Sequence, residues 1–392
     1  MAEKRTIDDI ARLAGVSKAT VSRVLNHKPD VDPNTRERIL RIVEEQGFVP
    51  SITASGLAGG RSRLIGVLVP SFTWPFIPNI MRGIAEVIGE TVYELVLYSI
   101  NDSTRENDKG DVIDHILATK LTAGLLAVLP GPSAKYVVRL HKHGFPVVLI
   151  DDQELPPNVP WVGADNCTGA YEAVLHLIRL GHRRIAHIQG PMKNLCSRER
   201  YEGYCRALQE EGLTPDPDLV AEGCFTALSG RAAADKFFSL PEDRRPTAIF
   251  AGSDQMAYGV MASAEEHGLR IPRDLALVGF DDLESSAHVR PALTTVRQPF
   301  YEMGQCSIEL LLSMLDKPRH STVRTGVRAG ISGSASSVGT GFHMPSTYSV
   351  VSGGVNNGNG SGPVQIQLAT SLIVRSSCGA SQQFSDSTTG TT

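Results

Sequence analysis

Residues 9–26 read DIARLAGVSKATVSRVLN, and residues 31–50 read VDPNTRERILRIVEEQGFVP. Thr6 lies three residues before Asp9, which is the spacing of a helix capping box. Apolar residues then recur at helical intervals as far as Gly15, which ends the helix in the position that glycine favours. The first helix of the chain is therefore predicted between Thr6 and Gly15.

Two further helices follow within the same stretch. Ser17 is a suitable cap for a second helix, which we place at residues 17–26. Asp32 and Pro33 are typical of the start of a third helix, and Gly47 marks its end. The turn between the first two helices is short, so the pattern predicts a helix-turn-helix followed by a third helix.

The second helix has one apolar and one polar side. At about 100° per residue, Val21, Val24 and Leu25 share one side. The opposite side carries small and polar residues: Lys18, Ala19, Ser22, Arg23 and Asn26. Lys and Arg donate to guanine O6 and N7, whereas short hydroxyl and amide side chains suit phosphate oxygens. This division favours a DNA-reading surface, with a small structural helical bundle as the alternative.

The distribution of charge agrees with this interpretation. The 392 residues carry a formal net charge of -4, with 41% hydrophobic and 20% charged residues, as in globular proteins. The first 63 residues hold 11 Lys and Arg against 8 Asp and Glu, a net charge of +3, which leaves -7 for the remainder. A small basic segment thus precedes a larger acidic body, and the length corresponds to two or three domains.

Composition and motifs exclude several classes of protein. No apolar run reaches the roughly 18 residues of a membrane span, and the first residues lack an apolar signal core, so we expect a cytoplasmic protein. The six cysteines form no C-x-x-C pair, which argues against a disulfide framework or a zinc site. We predict no metal site and no cofactor. No nucleophile elbow or phosphate loop is present, so we expect a protein that is not an enzyme.

Two sets of polar residues resemble metal or catalytic sites only superficially. His141 with His143, and His182 with His187, lack the spacing of metal ligands on a helix, and we interpret them as surface histidines. The acidic pairs at 151–152 and 281–282 are better explained by capping and by contacts with a ligand.

From residue 64 onward, apolar runs of strand length alternate with amphipathic stretches. The runs include LIGVLVP (64–70), AGLLAVLP (123–130), RIAHIQG (184–190) and LALVGFDD (275–282). Such alternation predicts parallel α/β sheets, and the number of runs indicates two of them. Ligands bind at the carboxyl ends of the strands in such sheets.

The loops after these strands carry aromatic, basic and acidic side chains. They include Phe72, Trp74, Phe76, Asp151, Arg198, Arg200, Ser253, Asp254, Asp281 and Asp282. An aromatic ring covers the apolar face of a sugar, and the charged groups donate to and accept from its hydroxyls. The loops therefore indicate a site for a hydroxyl-rich ring.

The N-terminal stretch resembles the headpiece of the lactose-repressor (LacI/GalR) family of bacterial transcription regulators. The resemblance implies that Lys18, Ala19 and Arg23 read base edges in the major groove. It also implies contacts with phosphates from Ser17, Thr20, Ser22 and Asn26. Residues 51–63 would then form a hinge helix that folds on DNA and inserts Leu57 into the minor groove. Ser51, Ser55 and Gly56 depart from the family pattern, and a plain flexible linker is the alternative.

The body resembles the core of the same family, on the blocks SRERYEGYCRAL, FAGSDQMAYGV and LALVGFDD. The implied fold is an α/β core of two doubly wound parallel-sheet subdomains, like that of periplasmic binding proteins, after the helix-turn-helix headpiece. The resemblance implies that Arg200 and Asp281 are the strongest effector ligands. Phe225 corresponds to an aromatic stacking position, Gln298 to a polar one, and Ser253 to a position where several members have Asn.

We predict the following domain boundaries. The headpiece covers 1–50, the hinge and linker 51–63, and the two-lobed core 64–378. The core divides into an N-lobe at about 64–162 and 292–318, and a C-lobe at about 163–291 and 364–378. Residues 319–363 contain 10 Gly and 9 Ser in 45 positions without an acidic residue, so we expect a disordered insertion. Residues 379–392 are expected to form a disordered tail.

These observations predict a transcriptional repressor of carbohydrate-utilisation genes. We expect it to bind pseudo-palindromic operator DNA as a homodimer, because the tail lacks the leucine heptads of tetrameric relatives, and to respond to a mono- or disaccharide. Two alternatives remain open. One is a cytoplasmic sugar-binding protein without a regulatory role, and the other is a corepressor-dependent regulator that binds a non-sugar metabolite.

Overall fold

The computed structural model of the chain comprises two compact units. It describes residues 5–25, 28–48, 62–69, 71–99, 121–129, 131–151, 154, 158–316, 348–350 and 363–380. The headpiece unit holds the described residues up to Arg63 together with residues 121–123, and the body holds the rest. Asn26, Leu57 and most of the predicted hinge lie outside the described residues.

The described residues before Arg63 form helices and their connections, whereas strands and helices alternate along most of the described body. The helices are α1 Ile7–Ala14, α2 Lys18–Leu25, α3 Pro33–Glu45, α4 Ile77–Gly89, α5 Ala134–Lys142, α6 Asn166–Arg179, α7 Leu195–Glu210, α8 Ala227–Phe238, α9 Asp254–Glu266 and α10 Phe300–Leu315. The strands are β1 Leu64–Val69, β2 Glu94–Ser99, β3 Thr122–Val128, β4 Val147–Ile150, β5 Trp161–Ala164, β6 Ile185–Gln189, β7 Val220–Glu222, β8 Ala248–Ala251, β9 Ala276–Asp281, β10 Thr294–Arg297, β11 Tyr348–Val350, β12 Gln365–Leu368 and β13 Ser371–Ile373. Within the described ranges, no helix has the length and apolar character needed to cross a bilayer.

The predicted caps of the headpiece helices are present. Thr6 Oγ1 accepts the N–H of Asp9 at 3.3 Å, and the Asp9 carboxylate accepts the N–H of Thr6 at 3.0 Å. Gly15 ends α1 with φ of 62°, a conformation that costs glycine little. Asp32 caps α3 by accepting the N–H of Thr35 at 2.9 Å. The three helices bury a small apolar core of Ile10, Ala11, Ala14, Val21, Val24 and Ile39.

The first sheet of the body has seven strands in the order β11-β12-β5-β4-β3-β1-β2. The β1–β2, β3–β4, β4–β5 and β5–β12 pairs run parallel, and β11 runs antiparallel to β12. Side chains of α4 and α10 share a core with one face of this sheet, and those of α5 with the other face. We call this sheet and its helices the N-lobe.

The second sheet has six strands in the order β13-β10-β9-β8-β6-β7. Its strands run parallel except for β13, which runs antiparallel to β10. Helices α6 and α7 pack on one face, and α8 and α9 on the other. We call this the C-lobe. The predicted fold class, two doubly wound α/β subdomains after a helix-turn-helix headpiece, is confirmed.

The chain passes between the lobes at three connections, from β5 to α6, from β10 to α10 and from β12 to β13. The lobe boundaries predicted at 292 and 364 are therefore wrong. Strand β10 belongs to the C-lobe sheet, and β12 belongs to the N-lobe sheet. A buried parallel strand is a continuous apolar run whichever sheet it joins, so the sequence pattern does not distinguish the two.

The predicted disorder of residues 319–363 is wrong at β11. Residues 348–350 read Tyr-Ser-Val and pair with β12 along the edge of the N-lobe sheet. β-Branched and aromatic residues favour strands, and an open sheet edge offers them hydrogen bonds. Ala380, at the start of the predicted tail, packs into the C-lobe core. Residues 319–347, 351–362 and 381–392 lie outside the described residues.

Two glycines bring α4 and α10 of the N-lobe into close contact. A Cβ at Gly83 would lie 2.1 Å from the carbonyl oxygen of Tyr301, and a Cβ at Gly304 would lie 2.2 Å from the carbonyl oxygen of Ile80. Both obstacles are backbone atoms, so a larger residue requires the helices to move apart. The packing of the N-lobe therefore depends on glycine at both positions.

We predict that Gly304→Ala lowers the free energy of unfolding by about 2–3 kcal/mol, because overpacking displaces a helix from its core. Gly89→Ala is the matched control at the end of α4, where a Cβ would meet nothing within 4 Å. Urea denaturation followed by circular dichroism measures both variants. Equal stability of the two variants would contradict the prediction.

Candidate DNA-binding surface and effector site

Helix α2 presents its polar side to solvent. Val21 and Val24 on its other side are fully buried. The predicted DNA contacts in the described residues divide into exposed Ser17, Lys18, Ala19 and Arg23, and half-buried Thr20 and Ser22. Base edges are reached by side chains that project from a helix, so the exposed group has the access that base reading requires.

Ser17 and Thr20 form the cap of α2. Ser17 Oγ accepts the N–H of Thr20 at 3.1 Å and lies 2.9 Å from Thr20 Oγ1. The positive end of the helix dipole and the free amides of the first turn lie at the same place. A DNA phosphate would meet hydroxyl and amide donors together there.

The two basic side chains of α2 form ion pairs on the free surface. Lys18 Nζ lies 3.0 Å from the carboxylate of Asp8, and Arg23 Nη1 lies 3.6 Å from that of Asp30. All four side chains are more than half exposed, and such pairs contribute only about 0–1 kcal/mol. DNA can therefore replace these partners at small energetic cost.

In the body, the guanidinium group of Arg200 is the centre of a buried polar network. Its Nε donates to Asn166 Oδ1 at 3.0 Å, and its Nη1 donates to the carbonyl oxygen of Gly252 at 2.6 Å. Nη1 also lies 3.8 Å from Asp281 Oδ1, and the guanidinium carbon lies 3.8 Å from the centre of the Phe280 ring. Helix α7 thus places a cation at the carboxyl ends of β8 and β9.

Asp281 is the acidic partner of this network. Gln298 Nε2 donates to Asp281 Oδ1 at 2.7 Å, whereas the buried Oε1 of Gln298 has no hydrogen-bond partner in the described part of the chain. Burial raises the pKa of Asp281, and Arg200 opposes that rise. The structure therefore brings together three of the predicted effector ligands, Arg200, Asp281 and Gln298.

Asp254 is one of the loop residues that the sequence indicated, and the structure shows it as a buried hydrogen-bond acceptor. It is fully buried and accepts from the N–H of Leu283 at 2.8 Å, Ser286 Oγ at 2.6 Å and Thr295 Oγ1 at 2.5 Å. Burial and repulsion from Asp281 raise its pKa. The sequence signal was its position after a buried strand, which placed it among the loop residues of the predicted site.

Asn166 and Glu199 were also missed. Asn166 Nδ2 donates to Glu199 Oε2 at 3.0 Å and to the carbonyl oxygen of Ala164 at 3.1 Å. Asn166 Oδ1 already accepts from Arg200, so one amide connects a carboxylate, a guanidinium and the end of β5. Only contacts across the fold reveal this role, because Asn166 reads in the sequence as an ordinary first residue of α6.

Backbone strain is concentrated at the carboxyl ends of strands. Among the described residues, those with positive φ other than glycine are Leu129, Asp151, Phe225, Asp281 and Asp282, with φ of 43°, 54°, 59°, 123° and 55°. Each terminates or follows a parallel strand. Such strain is found mainly at functional sites, where the surrounding structure holds it in place.

Three further predicted ligands, Phe225, Asp151 and Ser253, lie in loops that follow the carboxyl ends of strands. The Phe225 ring lies against Gly190, where a Cβ would be 2.1 Å from Cζ, and next to the buried hydroxyl of Ser197. Asp151 is nearly buried and donates its N–H to the carbonyl oxygen of Val162 at 2.9 Å. Ser253 Oγ caps α9 by accepting the N–H of Met256 at 3.3 Å. The geometry thus gives Ser253 a structural role in addition to any contact with an effector.

The remaining predicted ligands are Arg198, Trp74 and Phe72. Arg198 Nη1 donates to the carbonyl oxygens of Met192 at 3.0 Å and Lys193 at 2.9 Å, so it braces its own loop. Trp74 is half-buried against the N-lobe core, and Phe72 is 53% exposed. These three residues stay predictions without a described contact to Arg200.

The interpretation of His187 as a surface histidine is wrong. His187 is fully buried in β6 instead of exposed, and its ring stacks on Phe250 and Tyr204 with centroids 4.8 and 5.1 Å away. Burial lowers its pKa to about 4, so the ring is neutral at pH 7.

All six cysteines are described and carry free thiols.

Comparison with known proteins agrees with both parts of the fold. The model of bacterial regulatory proteins of the lacI family matches residues 6–51, and that of the periplasmic binding protein-like domain matches residues 174–332. Catabolite control protein A of Priestia megaterium is 37% identical over 80% of this chain and 93% of its own length. The chain belongs to the lacI family of bacterial regulatory proteins.

Other members have the same organisation. The transcriptional repressor CytR of Escherichia coli K12 is 34% identical over 82% of this chain and 92% of its own length. The lac repressor dimer bound to operator and the anti-inducer ONPF superposes with a TM-score of 0.75 at 26% identity, covering 96% of this chain and 99% of that one. The transcriptional regulator CelR in complex with cellobiose gives a TM-score of 0.63 at 29% identity, covering 95% and 99%. The chain is a DNA-binding transcriptional repressor of this family.

We predict that Arg23→Ala weakens binding to an operator selected by the wild-type protein from randomised DNA by about 1–3 kcal/mol. The loss should be greatest at the base that Arg23 reads. Arg41→Ala is the control, because Arg41 is an exposed arginine of α3 that pairs with Glu37. Fluorescence anisotropy titrations measure both affinities. An equal loss in the two variants would contradict a specific role for Arg23.

We predict that Arg200→Ala destabilises the body by about 3–5 kcal/mol at neutral pH, because Asp281 is left buried without its cation. Removal of Arg200 raises the pKa of Asp281 further. The loss of unfolding free energy relative to wild type should therefore grow as the pH rises from about 5 to about 8, because Asp281 must ionise over that range. Arg206→Ala, on the exposed side of α7, is the control. A deficit independent of pH in urea denaturation would refute the role of Asp281.

Proposed function

We propose that this repressor is controlled by a sugar, a mono- or disaccharide, and regulates carbohydrate-utilisation genes. The observation that carries the proposal is the network of Arg200, Asn166, Asp281 and Gln298 at the carboxyl ends of the C-lobe strands. It offers donors and acceptors side by side, as vicinal hydroxyls require. The Phe225 ring beside it has the apolar face on which a sugar ring stacks. The cellobiose complex of CelR supports the same class of ligand.

The position of the network supports allosteric control. Asn166 follows the first connection between the lobes directly, and Gln298 lies in the second. A ligand that binds Arg200 and Asp281 would therefore act on two of the three connections. A change in lobe orientation would then be transmitted to the DNA-binding units, with a coupling of about 1–3 kcal/mol in typical cases.

A homodimer on a pseudo-palindromic operator completes the proposal. The structure of the lac repressor dimer on operator supports it. Apolar side chains that are exposed in the single chain also support it. Leu97 of edge strand β2 is 48% exposed, and Leu228 is 77% exposed. A two-fold dimer would place two copies of α2 on matched half-sites.

We expect a screen of neutral mono- and disaccharides to yield a ligand that changes operator affinity about 5- to 150-fold, in keeping with a typical coupling energy. Thermal-shift assays identify the ligand, because binding stabilises the folded state, and footprinting measures its effect on the operator. Arg200→Ala should remove the response to the sugar while a footprint persists. A ligand found only among non-sugar metabolites would sink the sugar proposal and leave the repressor assignment intact.

A further inference from the structure

Ser197 is a buried serine of α7 to which the family resemblance assigns no role. Its side chain is 1% exposed, and among the described residues its Oγ has no hydrogen-bond partner. Gln298 of the effector network shares this feature at its Oε1. A buried polar atom without a partner destabilises a protein, so such atoms are rare in native structures and are often kept for a function.

The Ser197 hydroxyl group lies at the same edge of the C-lobe sheet as Arg200. The two residues are three positions apart on α7 and so share one side of the helix. Arg200 Nη1 donates to the carbonyl oxygen of Gly252, directly after β8. Ser197 Oγ lies 2.5 Å from the position that a Cβ on Gly190 would take, directly after β6, the strand that pairs with β8. Helix α7 thus directs two polar groups at the ends of neighbouring strands.

The tip of the Phe225 ring covers the hydroxyl group. A Cβ on Gly190 would lie 2.1 Å from Phe225 Cζ as well as 2.5 Å from Ser197 Oγ, so the ring tip and the hydroxyl are neighbours. Phe225 is half-buried, and the residues on either side of it in the chain are exposed. Side chains near a protein surface change rotamer rapidly. A ligand can therefore displace the ring tip without any rearrangement of the core.

The backbone of Phe225 supports this interpretation. Its φ of 59° is strained for an aromatic residue. Strain of this kind persists where a structure holds a side chain in a required place, and it is found mainly at ligand sites. Here the strained residue directs its ring tip to the one buried hydroxyl of α7 that has no described partner.

The surroundings of Ser197 favour a hydroxyl group as its partner. A serine hydroxyl donates one hydrogen bond and accepts others, as does the hydroxyl group of a sugar. Gly190 and Phe225 carry no charge, and the nearby cation of Arg200 is opposed by Asp281. A charged group between the ring and the hydroxyl would lose its hydration without full compensation. A small neutral group that both donates and accepts is therefore the best match.

Resting on the proposed function, we propose that Ser197 is a further specificity-determining residue of the effector site. Its hydroxyl group binds one hydroxyl group of the sugar in a subsite that the Phe225 ring tip covers. Arg200 and Asp281 bind other hydroxyl groups of the same ligand. The group that enters the Ser197 subsite distinguishes the effector from sugars that lack it.

This role makes stability and affinity change in opposite directions. Ser197→Ala removes a buried polar atom that has no partner, which stabilises the protein in the absence of sugar. The same substitution removes a hydrogen bond to the sugar, which weakens binding. A serine with a structural hydrogen bond would lose stability instead.

The test uses the full chain, thermal unfolding without sugar, and isothermal titration calorimetry with neutral mono- and disaccharides and the monodeoxy derivatives of the best ligand. Ser197→Ala is expected to raise the unfolding temperature by about 2–4 °C and to lower the affinity for the parent sugar about 3- to 10-fold. One monodeoxy derivative should lose a similar factor with the wild type, and Ser197→Ala should weaken its binding no further.

Ser263→Ala is the matched control. Ser263 is a buried serine of α9 in the same lobe, and its Oγ donates to Asp235 Oδ1 at 2.5 Å. The substitution brings the same gain in helix propensity as Ser197→Ala but removes a hydrogen bond within the protein. It should therefore lower the unfolding temperature and leave the affinity for the sugar unchanged.

Each outcome has a defined meaning. If Ser197→Ala lowers the unfolding temperature as the control does, or binds the parent sugar as tightly as the wild type, the role of Ser197 is refuted while the proposed function stands. The role is also refuted if Ser197→Ala weakens the binding of every monodeoxy derivative as much as that of the parent sugar. If the wild type binds no sugar, the sugar proposal fails, and the role of Ser197 fails with it.

Discussion

The burial of the Arg200 guanidinium is the constraint on which the effector site depends. An arginine with 4% exposure is tolerated only where its donors are satisfied and its charge is opposed. Asn166, Gly252 and Asp281 meet that requirement from three different elements. The helix start at Asn166, the end of β8 and the end of β9 must therefore come together for the cation to remain inside.

The same demand for satisfied polar groups fixes the connections between the lobes. Asp282 accepts from Arg297 at 2.7 Å and from Arg375 at 2.6 Å, which ties the end of β10 to the segment after β13. Thr370 donates to the carbonyl oxygen of Asp165 at 3.1 Å, which ties the connection after β12 to that after β5. Hydrogen bonds thus hold the connections between the lobes in place.

Sequence patterns predicted the local features and failed where distant residues meet. The capping box at Thr6, the cap at Asp32 and the buried face of α2 follow from spacing within a few residues. Strand β11 and the lobe assignment of β10 and β12 depend on which sheet edge is nearby, and no local pattern records that. Arg200 and Asp281 were predicted from their place after strands, and the family resemblance singled them out as the strongest effector ligands. Asn166 and Glu199 were missed because their partners lie 33 or 34 positions away in the sequence.

The separation between Arg200 and Asp281 is as important as the burial of the pair. A ligand shifts a conformational equilibrium only through a difference in affinity between the two states. Arg200 and Asp281 lie 3.8 Å apart, beyond a direct hydrogen bond, and Gln298 keeps a buried oxygen without a partner. A buried polar atom without a hydrogen-bond partner destabilises the ligand-free state. A ligand that completes these hydrogen bonds in only one arrangement of the lobes would bind that arrangement more tightly. Such a difference in affinity is what control of operator binding requires.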